Sequence, residues 1–129
     1  ESQEGQIWEA AEFAGAQKLD KIIAFEDLNG QQLDGYTKDI IPEDVDNVKK
    51  RFESFLWDTQ VVSGHDIDAL DKAIEKAKAT PGKPHMIIMV TEKAHGYVFG
   101  EGIKANHSMP ITAEQAEEAI KVLEERRKK

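Results

Sequence analysis

Apolar and polar positions along the chain predict helices separated by short buried strands. Across residues 6–19 the apolar side chains recur mostly three and four positions apart, which indicates a helix with a wide buried face. The continuous apolar run at residues 22–25 is typical of a strand covered on both faces of a parallel sheet. The Asn-Gly pair at 29–30 and the Asp-Gly pair at 34–35 then mark turns.

The middle of the chain repeats this order of helix and strand. Residues 42–55 are predicted to form a helix with Pro42 at its first position, where the missing N–H leaves no helical bond unmade. Residues 57–62 form the next predicted strand, and Asp66 is expected to cap a third helix. The apolar run at residues 85–90 predicts a third strand.

The C-terminal third combines an irregular segment with a well-marked helix. Residues 93–111 show little periodicity and contain several glycines and a proline. Thr112 is predicted to begin a final helix that runs through residue 125, and Gln115 three positions later completes a capping-box pattern.

This alternation predicts an α/β fold with a mostly parallel sheet and flanking helices. Three strands are few for an open sheet, because strands buried on both faces need neighbours. The first predicted helix also has no strand before it. We therefore expect residues 1–129 to be the C-terminal portion of a larger domain.

The amino-acid composition excludes several classes of function for this protein. The net charge of −8 argues against general binding to a nucleic-acid backbone, which needs a basic surface. No apolar run approaches the roughly 20 residues that cross a bilayer. The absence of cysteine excludes disulfides and Cys-based zinc sites, and it is compatible with a cytoplasmic location. The basic residues 126–129 are interpreted as a solvated tail whose positive charge interacts favourably with the C-terminal dipole of the preceding helix.

Asn29 is the first candidate for chemistry, because it follows the first predicted strand. Ligands of open α/β sheets bind at the carboxyl ends of strands. An amide oxygen there suits Mg²⁺ or Ca²⁺, although an isolated Asn-Gly is more often only a turn. His65 and His85 have no metal partner at useful spacing and are interpreted as structural.

Several segments resemble, in order, the diphosphate- and metal-binding region of thiamine-diphosphate enzymes, in the version found in transketolases. They read ESQEGQIWEA, KLDKIIAFEDLN and QLDG in the first 35 residues, followed by SGHDIDAL, GKPHMIIMVT and the segment at 107–110. The family's motif opens with Gly-Asp-Gly, and the chain begins where those residues would have ended. The resemblance implies a partial thiamine-diphosphate-binding fold, whose charged end is similar to that of the N-terminal subunit of a split transketolase.

The resemblance also implies roles for individual residues. Asn29 is similar to the residue that binds the metal and a diphosphate oxygen, and Gln31 holds the position whose backbone carbonyl completes the metal shell. Leu33 corresponds to an apolar residue against the thiazolium ring. Glu4 resembles an acid near the subunit interface that links two active sites, and His107 resembles a histidine that touches cofactor phosphate and sugar.

The implied parent enzyme transfers a two-carbon ketol unit between sugar phosphates, as in the pentose phosphate pathway. Thiamine diphosphate and Mg²⁺ or Ca²⁺ are its cofactors, and a homo- or hetero-oligomer such as a dimer is expected. In the family, a pyrimidine-binding domain or C-terminal subunit supplies the activating glutamate, so we expect the isolated chain to be inactive. Two alternatives remain: another enzyme of the class, such as deoxyxylulose-phosphate synthase, and a non-catalytic α/β binding or assembly module.

Residues 91–96 depart from the family's pattern. They read TEKAHG where bacterial relatives often have T-x-K-G-K-G. Ala94 removes the backbone freedom of a glycine, and His95 replaces a lysine with a titratable ring. Ser108 likewise stands where the family often has glycine after the histidine.

Overall fold

The computed structural model describes residues 1–33, 35–41, 43–103 and 106–128. The predicted turn position Asp34, the predicted helix start Pro42 and the last residue of the basic tail, Lys129, lie outside these ranges. The chain divides into two units. The first unit comprises residues 1–28 and 43–91, and the second comprises residues 29–42 and 92–129.

Three parallel strands form the sheet of the first unit. In chain order the strands are β1 (Ile23–Leu28), β2 (Gln31–Gln32), β3 (Gly35–Tyr36), β4 (Asp58–Ser63) and β5 (His85–Val90). β5 lies in the centre and pairs in parallel with β1 on one side and β4 on the other. The register aligns Leu28, Val90 and Ser63, so the strands end at one edge. The predicted α/β fold with a parallel sheet is confirmed.

The short pair β2 and β3 belongs to the second unit and is antiparallel. The helices are α1 (Gly5–Ala16), α2 (Thr37–Ile40), α3 (Val45–Ser54), α4 (Ile67–Ala79) and α5 (Ala113–Arg127). A 3₁₀ turn covers Asn106–Ser108. Within the part of the chain that the structure describes, none of the helices has the length and apolar character needed to cross a bilayer.

The core of the first unit lies between the sheet and helices α1 and α3. Phe52 is almost fully buried, and its ring centroid lies 5.1 Å from that of Trp8 and 5.4 Å from that of Trp57. The small side chains of Ala11 and Ala14 let α1 approach closely, and the indole N–H of Trp57 donates to the Ala11 carbonyl at 2.8 Å. Burying a side chain such as Phe52 contributes about 1.5–3 kcal/mol.

The end of α1 and the start of α3 each differ by three residues from the predicted boundaries. α1 ends at Ala16 instead of residue 19, because Lys18 adopts a left-handed conformation with φ of 53°. The Leu19 amide then bonds to the Ala14 carbonyl at 3.0 Å, which closes the helix end. α3 begins at Val45, after residue 42, because the Asp44 carboxylate caps it by accepting from the Asn47 amide at 2.8 Å.

His85 has the structural role that the sequence indicates. The side chain is fully buried at the start of β5. Its Nε2 donates to the Thr80 carbonyl at 2.8 Å, and its Nδ1 lies 3.2 Å from an Asp58 carboxylate oxygen. The imidazole therefore joins the loop after α4 to the first residue of β4. The predicted cap of α4 is also present, since Asp66 accepts from the Ala69 amide at 2.9 Å.

Candidate functional site

Asn29 directly follows β1 and organises a tight turn. Its side-chain oxygen accepts a hydrogen bond from the Gln31 backbone N–H at 2.9 Å, which forms an Asx turn. Gly30 has φ of 72°, a conformation that glycine adopts without a Cβ clash. Side-chain amide oxygens of this kind are also ligands that hard cations accept. The turn brings two predicted site residues, Asn29 and Gln31, into direct contact.

Leu33 lies between β2 and β3 and is exposed to solvent. β2 and β3 pair on either side of it, and the Thr37 amide bonds to the Gly30 carbonyl at 3.0 Å. The side chain is 76% exposed, more than any other large hydrophobic side chain described in the chain. An exposed apolar side chain on a short hairpin is suited to cover an apolar ring of a ligand.

His107 lies in the 3₁₀ turn and contacts a residue that sequence reasoning did not single out. The Lys93 ammonium lies 3.0 Å from His107 Nδ1, and both side chains belong to the second unit. The two residues are fourteen positions apart in a segment without periodicity, so no spacing rule indicated their contact. Together they present N–H donors that suit phosphate oxygens.

The loop that carries Lys93 is bent by an unusual residue. Ala94 has φ of 62°, in the left-handed region that favours glycine. The Tyr97 amide bonds to the Ala94 carbonyl at 2.9 Å, and the Asn106 side chain donates to the Gly100 carbonyl at 2.8 Å. Although Ala94 departs from the family's glycine, its backbone keeps a conformation typical of glycine.

Glu4 belongs to the first unit, whereas the other predicted site residues belong to the second. It is the residue before α1, with extended backbone angles. Its carboxylate accepts a hydrogen bond from the Gln6 side chain instead of capping a backbone amide. The acid is exposed, so it is accessible from solvent at the start of the helix.

The carboxyl edge of the sheet is closely packed. The Thr91 hydroxyl donates to the Asp27 carboxylate, which joins the ends of β5 and β1. The Gly64 amide bonds to the Val90 carbonyl at 2.9 Å. A Cβ at Gly64 would lie 2.3 Å from the Thr91 methyl carbon, so the close approach of β4 and β5 requires glycine here. The chain leaves the first unit directly after β1 and again just after β5.

A partly buried polar cluster near α1 contains two acids. Burial raises the pKa of Glu26 above its ordinary value, a hydrogen bond with Ser2 opposes that rise, and the nearby Glu43 adds to it. Glu43 in turn pairs with Arg51 at 3.1 Å, and Ser2 Oγ lies 3.3 Å from a Glu43 oxygen. The Arg51 guanidinium also lies over the Trp8 ring, 5.0 Å from its centroid. The periodicity of the sequence did not indicate this cluster.

Comparison with known protein families identifies the family of this chain. Residues 1–125 match the thiamine diphosphate binding domain of transketolase. The chain belongs to the transketolase family. A solved transketolase from Campylobacter jejuni is similar in structure, with a TM-score of 0.84 and 35% identity over 92% of this chain and 18% of that one.

Two relatives of this transketolase-family chain are subunits. It is 45% identical to the 6-deoxy-6-sulfo-D-fructose transketolase subunit SqwG of Clostridium sp. (strain MSTE9), over 96% of this chain and 44% of the relative. It is 35% identical to an apulose-4-phosphate transketolase subunit of Phocaeicola vulgatus, over 98% of this chain and 44% of the relative. The chain therefore spans less than half the length of these two relatives.

Proposed function

We propose that the chain is part of a transketolase that transfers a two-carbon ketol unit between sugars, with thiamine diphosphate and a divalent cation. The Asx turn at Asn29, directly after β1 and beside the exposed Leu33, carries this proposal. The cofactor supplies the carbanion chemistry, while the protein binds, orients and shields the reacting groups. In this proposal residues 1–129 are the C-terminal portion of the domain that binds the cofactor's diphosphate.

The oxygen donors of the turn fit a hard cation. We assign the side-chain oxygen of Asn29 and the backbone carbonyl of Gln31 as metal ligands, because Mg²⁺ and Ca²⁺ prefer oxygen ligands of this kind. Mg²⁺ takes six ligands and Ca²⁺ six to eight, so diphosphate oxygens, water and other groups complete the shell. Leu33 would pack against the thiazolium ring, and its exposed apolar side chain supports this role.

Lys93 and His107 bind anionic oxygens of the cofactor or the sugar. Their 3.0 Å contact places an ammonium beside an imidazole, and the lysine donates to Nδ1. The opposite ring nitrogen then carries the proton and can donate to a phosphate or hydroxyl oxygen. The names of the two subunit relatives include a sulfo-sugar and a sugar phosphate. We assign ketoses with a phosphate or sulfo group as the substrate class.

The rest of the active site is assigned to a partner. Two relatives are named as transketolase subunits, which supports a C-terminal transketolase subunit or pyrimidine-binding domain that would complete the site in an oligomer. Glu4, exposed at the start of α1, is assigned to the interface with that partner. On this proposal the chain without its partner does not transfer ketol units.

The test uses the protein that contains this chain, assembled with a C-terminal transketolase subunit. Calorimetry would measure thiamine diphosphate binding with Mg²⁺ and with a chelator. We expect binding to require the metal, and Asn29→Ala to weaken it by about 100-fold or more, because even outer-shell partners of a metal cost 10- to 100-fold. Ketol transfer should be lost with the same variant.

Leu33 provides a matched comparison. Leu33→Ala should weaken cofactor binding, while Ile67→Ala should not, although Ile67 is a similarly exposed apolar side chain at 74%. Cofactor binding that is unchanged by the chelator and by Asn29→Ala would contradict the metal assignment. An assembled protein that binds neither cofactor nor sugar would favour a non-catalytic module.

A further inference from the structure

A second group of metal-ligating side chains lies on the loop that carries Lys93 and includes neither Asn29 nor Gln31. Glu92, His95 and Glu101 all belong to the second unit. One potential ligand atom from each lies within 4.8 Å of the other two. We propose that these three residues bind a divalent transition metal ion, with Zn²⁺ as the representative ion, independently of the cation at Asn29.

The distances between the ligand atoms fit one ion. His95 Nδ1 lies 3.1 Å from a Glu101 carboxylate oxygen. Two ligands at about 2.1 Å from a tetrahedral zinc ion are themselves about 3.4 Å apart. Metal binding would replace this direct contact, and the two atoms need to move apart only slightly to become ligands of one ion. Glu92 is exposed, and one of its carboxylate oxygens already lies within 4.8 Å of the other two ligand atoms.

The donor set selects the class of metal. Imidazole nitrogen with carboxylate oxygens suits Zn²⁺ and neighbouring transition ions, whereas Mg²⁺ and Ca²⁺ prefer oxygen alone. Two carboxylates with a neutral imidazole carry a charge of about −2, which a divalent ion balances. The three ligands leave a fourth tetrahedral position for water or another group.

The backbone between the ligands is already folded. The His95 amide bonds to the Glu92 carbonyl at 3.1 Å, and the Glu101 amide bonds to the Tyr97 carbonyl at 2.9 Å. The left-handed Ala94 turns the chain between the first two ligands. Since little backbone rearrangement is needed, the ordering cost of binding is small. The ion would connect the two ends of this loop.

His95→Lys separates metal binding from the ion pair with Glu101. A lysine can still pair with the Glu101 carboxylate, but its ammonium has no lone pair for a metal. The experiment would titrate Zn²⁺ alone into the protein that contains this chain, by calorimetry, with excess Mg²⁺ present to fill hard-ion sites. Circular dichroism would show that each variant is folded.

We expect one zinc ion to bind at this cluster, and His95→Lys and Glu101→Gln each to weaken it by about tenfold or more. His65→Ala removes an exposed histidine of the first unit and should leave this site unchanged. The absorption spectrum of bound Co²⁺ should also change in His95→Lys. Equal zinc affinity of His95→Lys and the parent protein, or displacement of the zinc by Mg²⁺, would overturn the proposal.

Discussion

Three residues other than glycine adopt left-handed backbone angles, among those that the structure describes. They are Lys18, Leu56 and Ala94, with φ of 53°, 69° and 62°. This conformation costs an L-residue roughly 1–2 kcal/mol because Cβ crowds the following carbonyl oxygen. Each of these positions therefore stores strain that its surroundings offset.

We expect Ala94→Gly to raise the free energy of unfolding by up to about 1 kcal/mol, since relief of the backbone clash exceeds the added entropy of the unfolded chain. Chemical denaturation of the two proteins would measure the difference. Ala116→Gly, in the interior of α5, is the control and should lower the free energy of unfolding by about 0.5–1 kcal/mol. Destabilisation by both substitutions would show that Ala94 is not strained.

At the scale of residues, local chemistry was more predictable than distant contacts. The turn at Asn29 could be expected, because an asparagine before glycine bonds to its own backbone two positions later. The contact between Lys93 and His107 could not, since it depends on how an irregular loop closes on itself. The roles of both groups in binding a cofactor remain predictions.

At the scale of elements, α5 begins with a reciprocal cap. The Gln115 amide donates to the Thr112 hydroxyl oxygen at 3.2 Å, and the Thr112 amide donates to the Gln115 side-chain oxygen at 3.0 Å. Two amides at the helix start that have no helical partner are thereby satisfied. The spacing in the sequence predicted this cap, and the structure shows both of its bonds.

Thr112→Ala should lower the free energy of unfolding by about 1 kcal/mol, because the Gln115 amide loses its acceptor. Thr112→Ser keeps a hydroxyl at the same position and should retain most of the stability. Thermal unfolding followed by circular dichroism would compare the three proteins. If Thr112→Ala and Thr112→Ser melt together with the parent, the capping bonds contribute nothing measurable.

Elements with a strong periodic or apolar pattern were predicted best. β5 has the predicted bounds, because the uninterrupted apolar run has no competing interpretation of that length. β1 continues to Leu28, beyond the predicted residue 25. Backbone pairing with β5 extends the strand although Glu26 and Asp27 are polar. β2, β3 and α2 were missed because elements of two to four residues are too short to show a period.

At the scale of the whole molecule, Glu26 links stability to pH. Its pKa is raised above the ordinary value of 4.5, mainly by burial. The folded protein therefore holds this proton more tightly than the unfolded chain does. The resulting stability is fully present below pH 4.5 and is lost as the pH rises through the raised pKa.

Glu26→Gln should therefore be more stable than the parent near neutral pH, and this advantage should shrink as the pH falls from the raised pKa towards 4.5 and be lost below it. Unfolding free energies measured across this range would test the expectation. Glu12→Gln removes an exposed acid and reports the effect of net charge alone. An advantage of Glu26→Gln that grows at low pH would contradict the sign of the shift.

The class of fold followed from the order of elements, but the division into two units did not. Alternating helices and strands indicate a parallel sheet irrespective of the conformation of the loops. The units depend on which loop segments pack together, and segments 29–42 and 92–129 are far apart in the sequence. Periodicity is a local property and carries no information about such pairing.

The central position of β5 has a consequence for synthesis on the ribosome. β1 and β4 meet only through β5, the last of the three strands to be made. The parallel sheet cannot be completed until Val90 has left the exit tunnel. Until then, the backbone N–H and C=O groups of β1 must form hydrogen bonds with water or with transient partners. The three-stranded sheet therefore forms only after synthesis of β5, the strand that is buried most deeply.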